Sequence, residues 1–366
     1  MNFLGIDLHS NRFTVAQMTK TVGKTCVKTV TYDLQGASFH RFLDSSHPED
    51  YVLIENSTNA FWFHDQILDR VSECYVLNTA KLTRSGNKTD KLDAKKLVTK
   101  LAYFTICDGT EDDMPTVYVP DPKVRELRSL FTTYGMYKRI QTQLKNRIHS
   151  LVKQNGICLD KGTLKRVDPA PVLDQLSLPE LCRLQIDKLF NSIQQISGSA
   201  TAVEEQIILL GSELFKDEVE LLIGIAGVSA FIATSIMSEV ADITRFSSAK
   251  KFCSYLRTAP KVEESNNTRH MKAVNKASRA TSCTLLTQTV QHLATAGDHL
   301  AAFYKRVQVG KSKGTARIAL IRKVMVCMFY MLKRHEAFNW INRDLYGRKL
   351  KEYRRRLAKL RERKKF

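Results

Sequence analysis

The first hundred residues alternate short apolar runs with amphipathic segments. The runs NFLGIDLH, RFTVAQMT and TCVKTVTYD have the character of β-strands and are separated by turn residues. We expect a helix near residues 35–46, a strand in YVLIEN, a helix in NAFWFHDQILDRVSE and a fifth strand in CYVLNT. A long helix should run from near Asn87 to about Phe104. Three hairpin-like strands followed by strand–helix units predict a mixed sheet covered by helices, an α/β domain.

The rest of the chain has a helical pattern. Residues 108–121 are acidic and contain two prolines, which is typical of a linker. From Pro122 to Gln154, apolar residues recur at steps of three, four and seven, as in one arm of a helical hairpin or coiled coil. A second long helical region covers roughly 177–215. The two arms form either a dimerisation or spacer module or part of an ordinary helical bundle.

These patterns predict four segments. Residues 1–110 form the α/β domain, and residues 111–215 form the linker and helical coiled-coil spacer. Residues 216–335 form a second compact, mostly α region, in which the segment KVEESNNTRH is a polar loop. Residues 336–366 form a strongly basic tail that can be helical.

Charge adds a partner to this picture. The 57 Lys and Arg residues outnumber 37 Asp and Glu residues, for a formal net charge of +20. That excess predicts a polyanionic partner, with nucleic acid as the first candidate and a merely solvated basic surface as the alternative. The tail is interpreted as a phosphate-binding arm that includes Arg354, Arg355 and Arg356, or else as a disordered solubilising segment.

Several classes of protein are disfavoured. The eight cysteines have no zinc-like spacing and indicate a reducing compartment. Asp7 interrupts the position where a signal peptide would become apolar, and the most apolar late stretch contains two charges, so we expect a soluble intracellular protein with no membrane span. Gly-rich phosphate loops are absent from the sequence, which argues against ATP as a cofactor.

Two acidic residues stand at the ends of apolar strands. Asp7 follows Phe3, Leu4 and Ile6, and Glu55 ends the run YVLIE. A charge embedded in such a strand is costly without a partner. If the two strands are parallel neighbours, both carboxylates emerge at the same edge of the sheet, where α/β sites are commonly built. His9, two residues after Asp7, either tunes this site or is an ordinary turn histidine.

A second acidic pair lies on the long helix. Asp90 and Asp93 share one helix face with the apolar stripe that should contact the sheet: Ala94, Leu97, Leu101 and Phe104. Inward-facing carboxylates repel each other unless a cation neutralises them, and Mg²⁺ takes oxygen ligands of this kind. Two such ions stabilise the attacking and leaving oxygens of a phosphodiester. Alternatively, Asp90 lies in the first turn after an Asn87 cap, and Asp93 pairs with Lys96.

These acidic positions carry a family resemblance. The segments GIDLHSN, LIENSTNAF and NKTDKLDAKKL resemble the motifs of the DEDD transposases of the insertion-sequence family usually called IS-one-ten, which includes the Piv-type site-specific DNA invertases. The N-terminal domain of that family is similar to the Holliday-junction resolvase RuvC and has a ribonuclease-H-like fold. The resemblance implies that Asp7, Glu55, Asp90 and Asp93 are the catalytic metal-binding acids. We expect them to bind two Mg²⁺ ions, with Mn²⁺ as the alternative.

The second half resembles the C-terminal transposase domain of the same family. There a helix-hairpin-helix-like turn precedes an apolar helix, an E-x-x-D-x-x-x-F stretch and a serine. Glu239, Asp242 and Phe246 keep that stretch, and Ser265 falls at the nucleophilic serine. The resemblance implies that Ser265 attacks a phosphodiester and holds DNA covalently. From the residues alone, Ser265 is as well explained as an ordinary loop serine.

The sequence around that serine has basic residues that could contact DNA, and it lacks glycines that the family motifs contain. Arg257, Arg269 and Lys276 are candidate ligands of the scissile phosphate or general DNA-backbone contacts. The P-G-I-G turn of the family is changed by Ala226 and Ser229, and the later K-x-G-N becomes KASR. A glycine lost from a turn near a phosphate weakens backbone contact, so these changes bear on DNA binding and activity.

The sequence thus predicts a DNA transposase or site-specific recombinase that cleaves and rejoins strands. One alternative is a RuvC-like metal-dependent endonuclease that uses water, and another is a catalytically decayed nucleic-acid-binding protein. The resemblance further implies a structured guide RNA, a homodimer or homotetramer, and a cytoplasmic, nucleoid-associated location in a bacterium.

Overall fold

The computed structural model of the protein describes residues 2–21, 24–79, 89–110, 112–160, 162–165, 170–265, 268–274 and 279–363. The chain divides into two compact units, Met1–Pro120 and Asp121–Phe366. The four predicted segments are a finer division and stay predictions. Within the described ranges, no helix has the length and apolar character needed to cross a membrane.

The first unit is built on a five-stranded mixed sheet of order β3-β2-β1-β4-β5. Its strands are β1 (Asn2–Leu8), β2 (Arg12–Thr21), β3 (Lys24–Asp33), β4 (Tyr51–Glu55) and β5 (Glu73–Leu77). Strands β1, β2 and β3 are antiparallel neighbours, whereas β4 is parallel to β1 and β5 is parallel to β4. The predicted mixed sheet is confirmed.

Helices pack on both faces of this sheet. They are α1 (Ala37–Asp44), α2 (Ala60–Ile67) and α3 (Asp90–Ile106), with a 3₁₀ turn at Leu68–Arg70. Leu4 and Ile6 of β1 share an apolar cluster with Phe39 and Phe63 of α1 and α2. Phe3, which points to the opposite face, shares a different cluster with the buried side of α3. Since side chains alternate along a strand, Gly5 and Asp7 also belong to the α3 face.

Helix α3 begins later than the sequence indicates. It starts at Asp90 rather than near Asn87, which lies outside the described residues, and the side chain of Thr89 accepts a hydrogen bond from the backbone N–H of Leu92. Thr89 is therefore the N-cap. The stripe predicted to contact the sheet is confirmed, because Ala94, Leu97 and Leu101 are buried in the cluster that contains Phe3.

The expected acidic linker is partly structured. The backbone N–H of Val117 donates to the carbonyl of Val76, and the N–H of Asn78 donates to the carbonyl of Pro115. Met114 is buried in the cluster beneath α3. These contacts to the β5 edge explain why the first unit extends to Pro120.

The second unit is mostly helical. Its elements are α4 (Pro122–Gln154), α5 (Ala170–Asp174), α6 (Glu180–Leu214), α7 (Lys216–Leu222), α8 (Ala230–Val240), α9 (Ala249–Tyr255), β6 (Pro260–Ser265), β7 (Thr268–Val274), α10 (Thr281–Gln288), α11 (Val290–Thr295), α12 (His299–Gly310), α13 (Lys313–Arg334) and α14 (Arg343–Arg363), with a 3₁₀ turn at Thr163–Lys165. The two long predicted helical regions are α4 and α6. They lie against each other, and Gln141 donates to Ser197 across the pair at 2.6 Å.

Two sequence interpretations of this unit are wrong. The segment around Ser265 is an antiparallel hairpin of β6 and β7, not an irregular loop. A two-stranded ribbon is held by backbone hydrogen bonds and needs no long alternating apolar pattern, so the sequence did not reveal it. The disordered alternative for the basic tail is wrong over residues 343–363, where the predicted helix is confirmed: α14 buries Tyr353, Leu357 and Leu360 against the main core of the unit.

Candidate active site: carboxylates at the edge of the mixed sheet

Asp7 and Glu55 lie side by side at one end of the sheet. The parallel register of β1 and β4 pairs Ile6 with Ile54, and the acids are the next residue on each strand. Both have the strand parity of the face that α3 covers. Asp7 is only 4% exposed. The two carboxyl groups are close enough for a side-chain hydrogen bond and for Glu55 to raise the pKa of Asp7.

Asp90 reaches the same place because α3 approaches β1 closely. A Cβ added to Gly5 would lie 2.5 Å from the carbonyl oxygen of Ala94 and 2.4 Å from the backbone nitrogen of Val98. Asp90 is one helical turn before Ala94, and Asp7 is two residues after Gly5. Each step covers about 6–7 Å, so both carboxylates extend by the same distance toward the same edge.

His9 and Arg12 lie beside these acids. Nε2 of His9 lies 3.3 Å from Oδ2 of Asp7 and 3.4 Å from Oδ1 of Asp90. Nη2 of Arg12 lies 3.6 Å from Oδ2 of Asp90. The backbone N–H of His9 donates to the carbonyl of Arg12, which closes the turn between β1 and β2. Sequence reasoning missed Arg12, whose proximity results from this turn.

The carboxyl group of Asp7 is electrostatically strained in its buried position. Its pKa is raised to about 6, first by burial and then by the neighbouring charges of Glu55 and Asp90, while His9 acts in the opposite direction. A buried acid surrounded by two further acids is stabilised by a nearby cation. This cluster therefore has the electrostatics of a cation site.

Asp93 has a different environment. Its Oδ1 accepts a hydrogen bond from Nζ of Lys96 at 3.2 Å, which is the ion pair that the sequence left open as an alternative. Its side chain is 18% exposed. Asp93 therefore faces a lysine one turn along α3, whereas Asp90 faces His9 and Asp7.

The donor set fits a hard divalent cation. In the part of the chain that the structure describes, Asp7, His9 and Asp90 offer ligand atoms within 4.8 Å of one another. Glu55 adds a third carboxylate beside Asp7. Carboxylate oxygens are the ligands that Mg²⁺ and Mn²⁺ prefer, whereas an imidazole is a better ligand for softer metals.

The candidate serine lies in the second unit. Ser265 is the last residue of β6, where it pairs with Thr268 of β7, and Arg269 pairs with Glu264 one step further from the turn. Arg257 follows α9 with a left-handed φ of 58°. Lys276 lies outside the described residues, so its proposed phosphate contact has no structural description.

The tail arginines have specific neighbours on their own unit. Arg354 forms two hydrogen bonds to the carboxylate of Glu220, at 3.1 and 2.6 Å. Arg356 donates to Glu204 at 2.8 Å. Arg355 lies on the exposed side of α14. Their contribution to nucleic-acid binding stays a prediction, and the ion pairs show that two of them also hold α14 in place.

The turn between α7 and α8 contains Ala226 and Ser229, which depart from the family's P-G-I-G motif. Gly227 has a φ of 76°, a conformation that suits glycine, so the surviving glycine occupies the strained position. Ser229 is the N-cap of α8, where its side chain accepts from the N–H of Ile232. Lys349 of α14 donates to the carbonyls of Ile223 and Ile225 and so braces the turn. The substitution to Ser229 has a local structural use.

Part of the chain matches a known protein family. Residues 219–305 match the model of a protein family described as Transposase IS116/IS110/IS902 family. The matched region begins in α7, includes the hairpin that carries Ser265 and ends in α12. No curated protein matches the chain.

Proposed function

We propose that this chain, which carries a transposase domain of the IS116/IS110/IS902 family, cleaves and rejoins DNA with a metal-bound acidic site and a serine nucleophile. The observation that carries the proposal is the convergence of Asp7, Glu55 and Asp90 at one edge of the sheet. The family match supports a transposase, and the acidic cluster supports the metal-dependent part of the chemistry.

The architecture of the first unit supports a ribonuclease-H-like domain. Its three-stranded antiparallel meander is extended by two parallel strands, with acids at the ends of β1 and β4 and at the start of α3. Asp7, Glu55, Asp90 and Asp93 would hold the divalent cations. Divalent cations held there would neutralise the clustered carboxylates and would supply positive charge to stabilise the attacked phosphate. His9 and Arg12 then keep Asp90 oriented toward Asp7.

Ser265 supplies the nucleophile in this proposal. Its hydroxyl oxygen forms a bond to the phosphorus of a DNA phosphodiester, and the strand oxygen that leaves takes up a proton. In the second transfer, the oxygen of an incoming DNA strand attacks the same phosphorus, and Ser265 recovers its proton. The number of phosphodiester bonds is conserved, so rejoining requires no ATP. Support for Ser265 comes from the family resemblance and from its place within the matched domain.

A covalent-trapping assay tests the proposal. Full-length protein is incubated with end-labelled DNA carrying the element ends, with Mg²⁺ or with EDTA, and analysed on a denaturing gel. We expect a Mg²⁺-dependent protein–DNA adduct for the wild type and for Ser254→Ala, an exposed serine of α9. Neither Ser265→Ala nor Asp90→Asn should form it.

Other outcomes distinguish the alternatives. Cleavage by Ser265→Ala without an adduct would favour a water-using endonuclease built on the acidic site alone. DNA binding with no Mg²⁺-dependent cleavage would favour a decayed nucleic-acid-binding protein.

The proposal includes further partners from the family resemblance. These are a structured guide RNA from the same element and further copies of this chain, in a homodimer or a homotetramer. Light scattering of the purified protein and its complex measures the copy number. Cleavage that depends on added element RNA would support the guide.

A further inference from the structure

Three arginines from distant parts of the second unit meet at the end of α8. Nε of Arg128, from α4, donates to the carbonyl of Ser238 at 2.6 Å, and its Nη2 donates to the carbonyl of Glu239 at 2.9 Å. Nη2 of Arg245 lies 3.4 Å from the same Glu239 carbonyl, and its Nε donates to the carbonyl of Val240 at 3.0 Å. Two guanidinium groups therefore share one carbonyl oxygen.

The second guanidinium is fixed between aromatic rings. The Cζ atom of Arg245 lies 4.2 Å from the ring centroid of Phe246 and 4.4 Å from that of Tyr255. Such stacking orients a guanidinium and limits its rotation. The backbone N–H of Arg279 donates to the carbonyl of Tyr255 at 3.1 Å, which brings a third arginine to the cluster.

Two acids among the described side chains of this region have fixed hydrogen-bond partners. Glu239 is buried, and its two carboxylate oxygens accept from the backbone N–H groups of Thr281 and Ser282, each at 3.2 Å. Asp242 accepts from the N–H and the hydroxyl of Thr244, at 2.7 and 2.5 Å. Hydrogen bonds from these neutral donors leave both carboxylates charged, so the two acids offset two of the three arginine charges.

Positive charge is consequently in excess at a half-buried place. The pKa of Arg128 is lowered to about 10, first by burial and then by the charge of Arg279, although the residue stays charged at neutral pH. Capping of the α8 carbonyls accounts for Arg128 and Arg245. It does not account for Arg279, whose side chain is exposed beside them.

We infer that Arg128, Arg245 and Arg279 form a binding site for a backbone phosphate of DNA, which we call the arginine cradle. A phosphate oxygen accepts several N–H donors at once, and guanidinium groups match its geometry better than any other side chain. The inference rests on the proposed function for the identity of the polyanion, because Arg245 and Arg279 lie within the matched transposase domain.

The cradle lies at the base of the hairpin that carries Ser265. Tyr255 is five residues before Pro260, and Arg279 is five residues after Val274, so the hydrogen bond between them ties together the chains that enter and leave the hairpin. Ser265 is five residues after Pro260, which is about 17 Å along β6 at the usual rise per residue. That length equals about five base-pair steps of duplex DNA. We therefore assign the cradle to anchoring the DNA rather than to binding the phosphate that Ser265 attacks.

Binding to a short labelled duplex of mixed sequence, in EDTA and over about 50 to 200 mM salt, tests the cradle. Arg279→Ala should weaken binding several-fold and lower the slope of log K against log salt by about one. Arg279→Lys should restore the slope but only part of the affinity, since an ammonium lacks the guanidinium donor pattern. The matched control is Arg306→Ala, an exposed arginine of α12.

Two further measurements separate binding from folding and chemistry. Arg279→Ala should keep the wild-type melting temperature. In the adduct assay, it should raise several-fold the DNA concentration needed for half-maximal rate.

Defined results overturn the inference. If Arg279→Ala and Arg306→Ala change the affinity and slope equally, the effect is general surface charge and there is no cradle. If Arg279→Ala weakens binding of a matched RNA but not of DNA, the site belongs to RNA. Wild-type protein that binds no DNA would refute the proposed function itself. Wild-type protein that cleaves DNA while Arg279→Ala behaves identically would refute only the cradle.

Discussion

Gly5 of β1 lies against Ala94 of α3 at a distance that leaves no room for a side chain. A Cβ on Gly5 would come within 2.5 Å of the Ala94 carbonyl oxygen. This contact sets the height of α3 above the sheet. It thereby sets the separation between Asp7 and Asp90, which extend from the two elements at the same end.

Gly5→Ala should therefore damage both stability and activity. The added methyl group must push α3 away from β1, which costs about 1–3 kcal/mol of unfolding free energy. A displacement of about 1 Å at the acidic cluster should lower Mg²⁺-dependent cleavage by roughly a hundredfold. Chemical denaturation and a cleavage assay measure the two effects.

Gly135→Ala is the matched control for this substitution. Gly135 lies inside α4, and nothing is within 4 Å of a Cβ placed there. We expect it to raise stability by about 0.5–1 kcal/mol, since alanine is the better helix former. Wild-type cleavage by Gly5→Ala would contradict the positioning role of Gly5.

Asp7→Asn should stabilise the protein when metal is removed. The folded-state pKa of Asp7 is raised from 3.8 to about 6, so the folded protein retains a proton that the unfolded chain loses between about pH 4 and 6. Stability falls as the pH rises through that window, by on the order of 3 kcal/mol, and the loss is complete above it. Asparagine has no charge to desolvate.

Denaturation in EDTA at several pH values measures this difference. The gap between Asp7→Asn and wild type should open between about pH 4 and 6 and stay open at pH 8. Mg²⁺ should then stabilise the wild type more than the variant. Asp69→Asn, an exposed acid of the same unit, is the control. A variant less stable than wild type at pH 8 would count against the crowded acidic cluster.

Glu239→Gln should loosen the contact between α8 and α10. The buried carboxylate accepts from two backbone N–H groups, whereas a carboxamide accepts through only one atom and turns an NH₂ group toward the second donor. We expect a loss of about 2 kcal/mol. Faster hydrogen exchange at the amides of Thr281 and Ser282 should accompany it. Asp242→Asn, at an exposed acid, should change both far less.

Leu357→Ala should show that the C-terminal helix belongs to the core. Leu357 is 7% exposed within the main apolar cluster of the second unit. Its truncation should cost about 2–3 kcal/mol of unfolding free energy. Arg355→Ala, two residues earlier on the exposed side, should stay within about 0.5 kcal/mol of wild type. Equal stability of the two variants would mean that α14 does not contribute to folding in solution.

Local pattern alone determined the five strands of the first unit, the long helices and the acids worth considering. Short continuous apolar runs identified β1 and β4, and the same pattern made Asp7 and Glu55 conspicuous because each lies at the end of a buried run. Helical spacing assigned the face of α3 that contacts the sheet. The face to which a side chain belongs follows from its spacing to nearby residues in a strand or helix, so it can be predicted from the sequence. The resemblance to the family motifs added the role that we propose for Ser265, which its own surroundings in the sequence do not indicate.

Only the tertiary structure decided which of these residues meet. Asp90 is near Asp7 because α3 lies directly on Gly5, whereas Asp93 faces Lys96, and no local pattern distinguishes the two acids. The arginine cradle joins α4 to segments more than a hundred residues away along the chain. Its members follow no common spacing, because their meeting depends on how separate helices pack. Convergence of distant segments is set by packing and register, and these are properties of the folded chain as a whole.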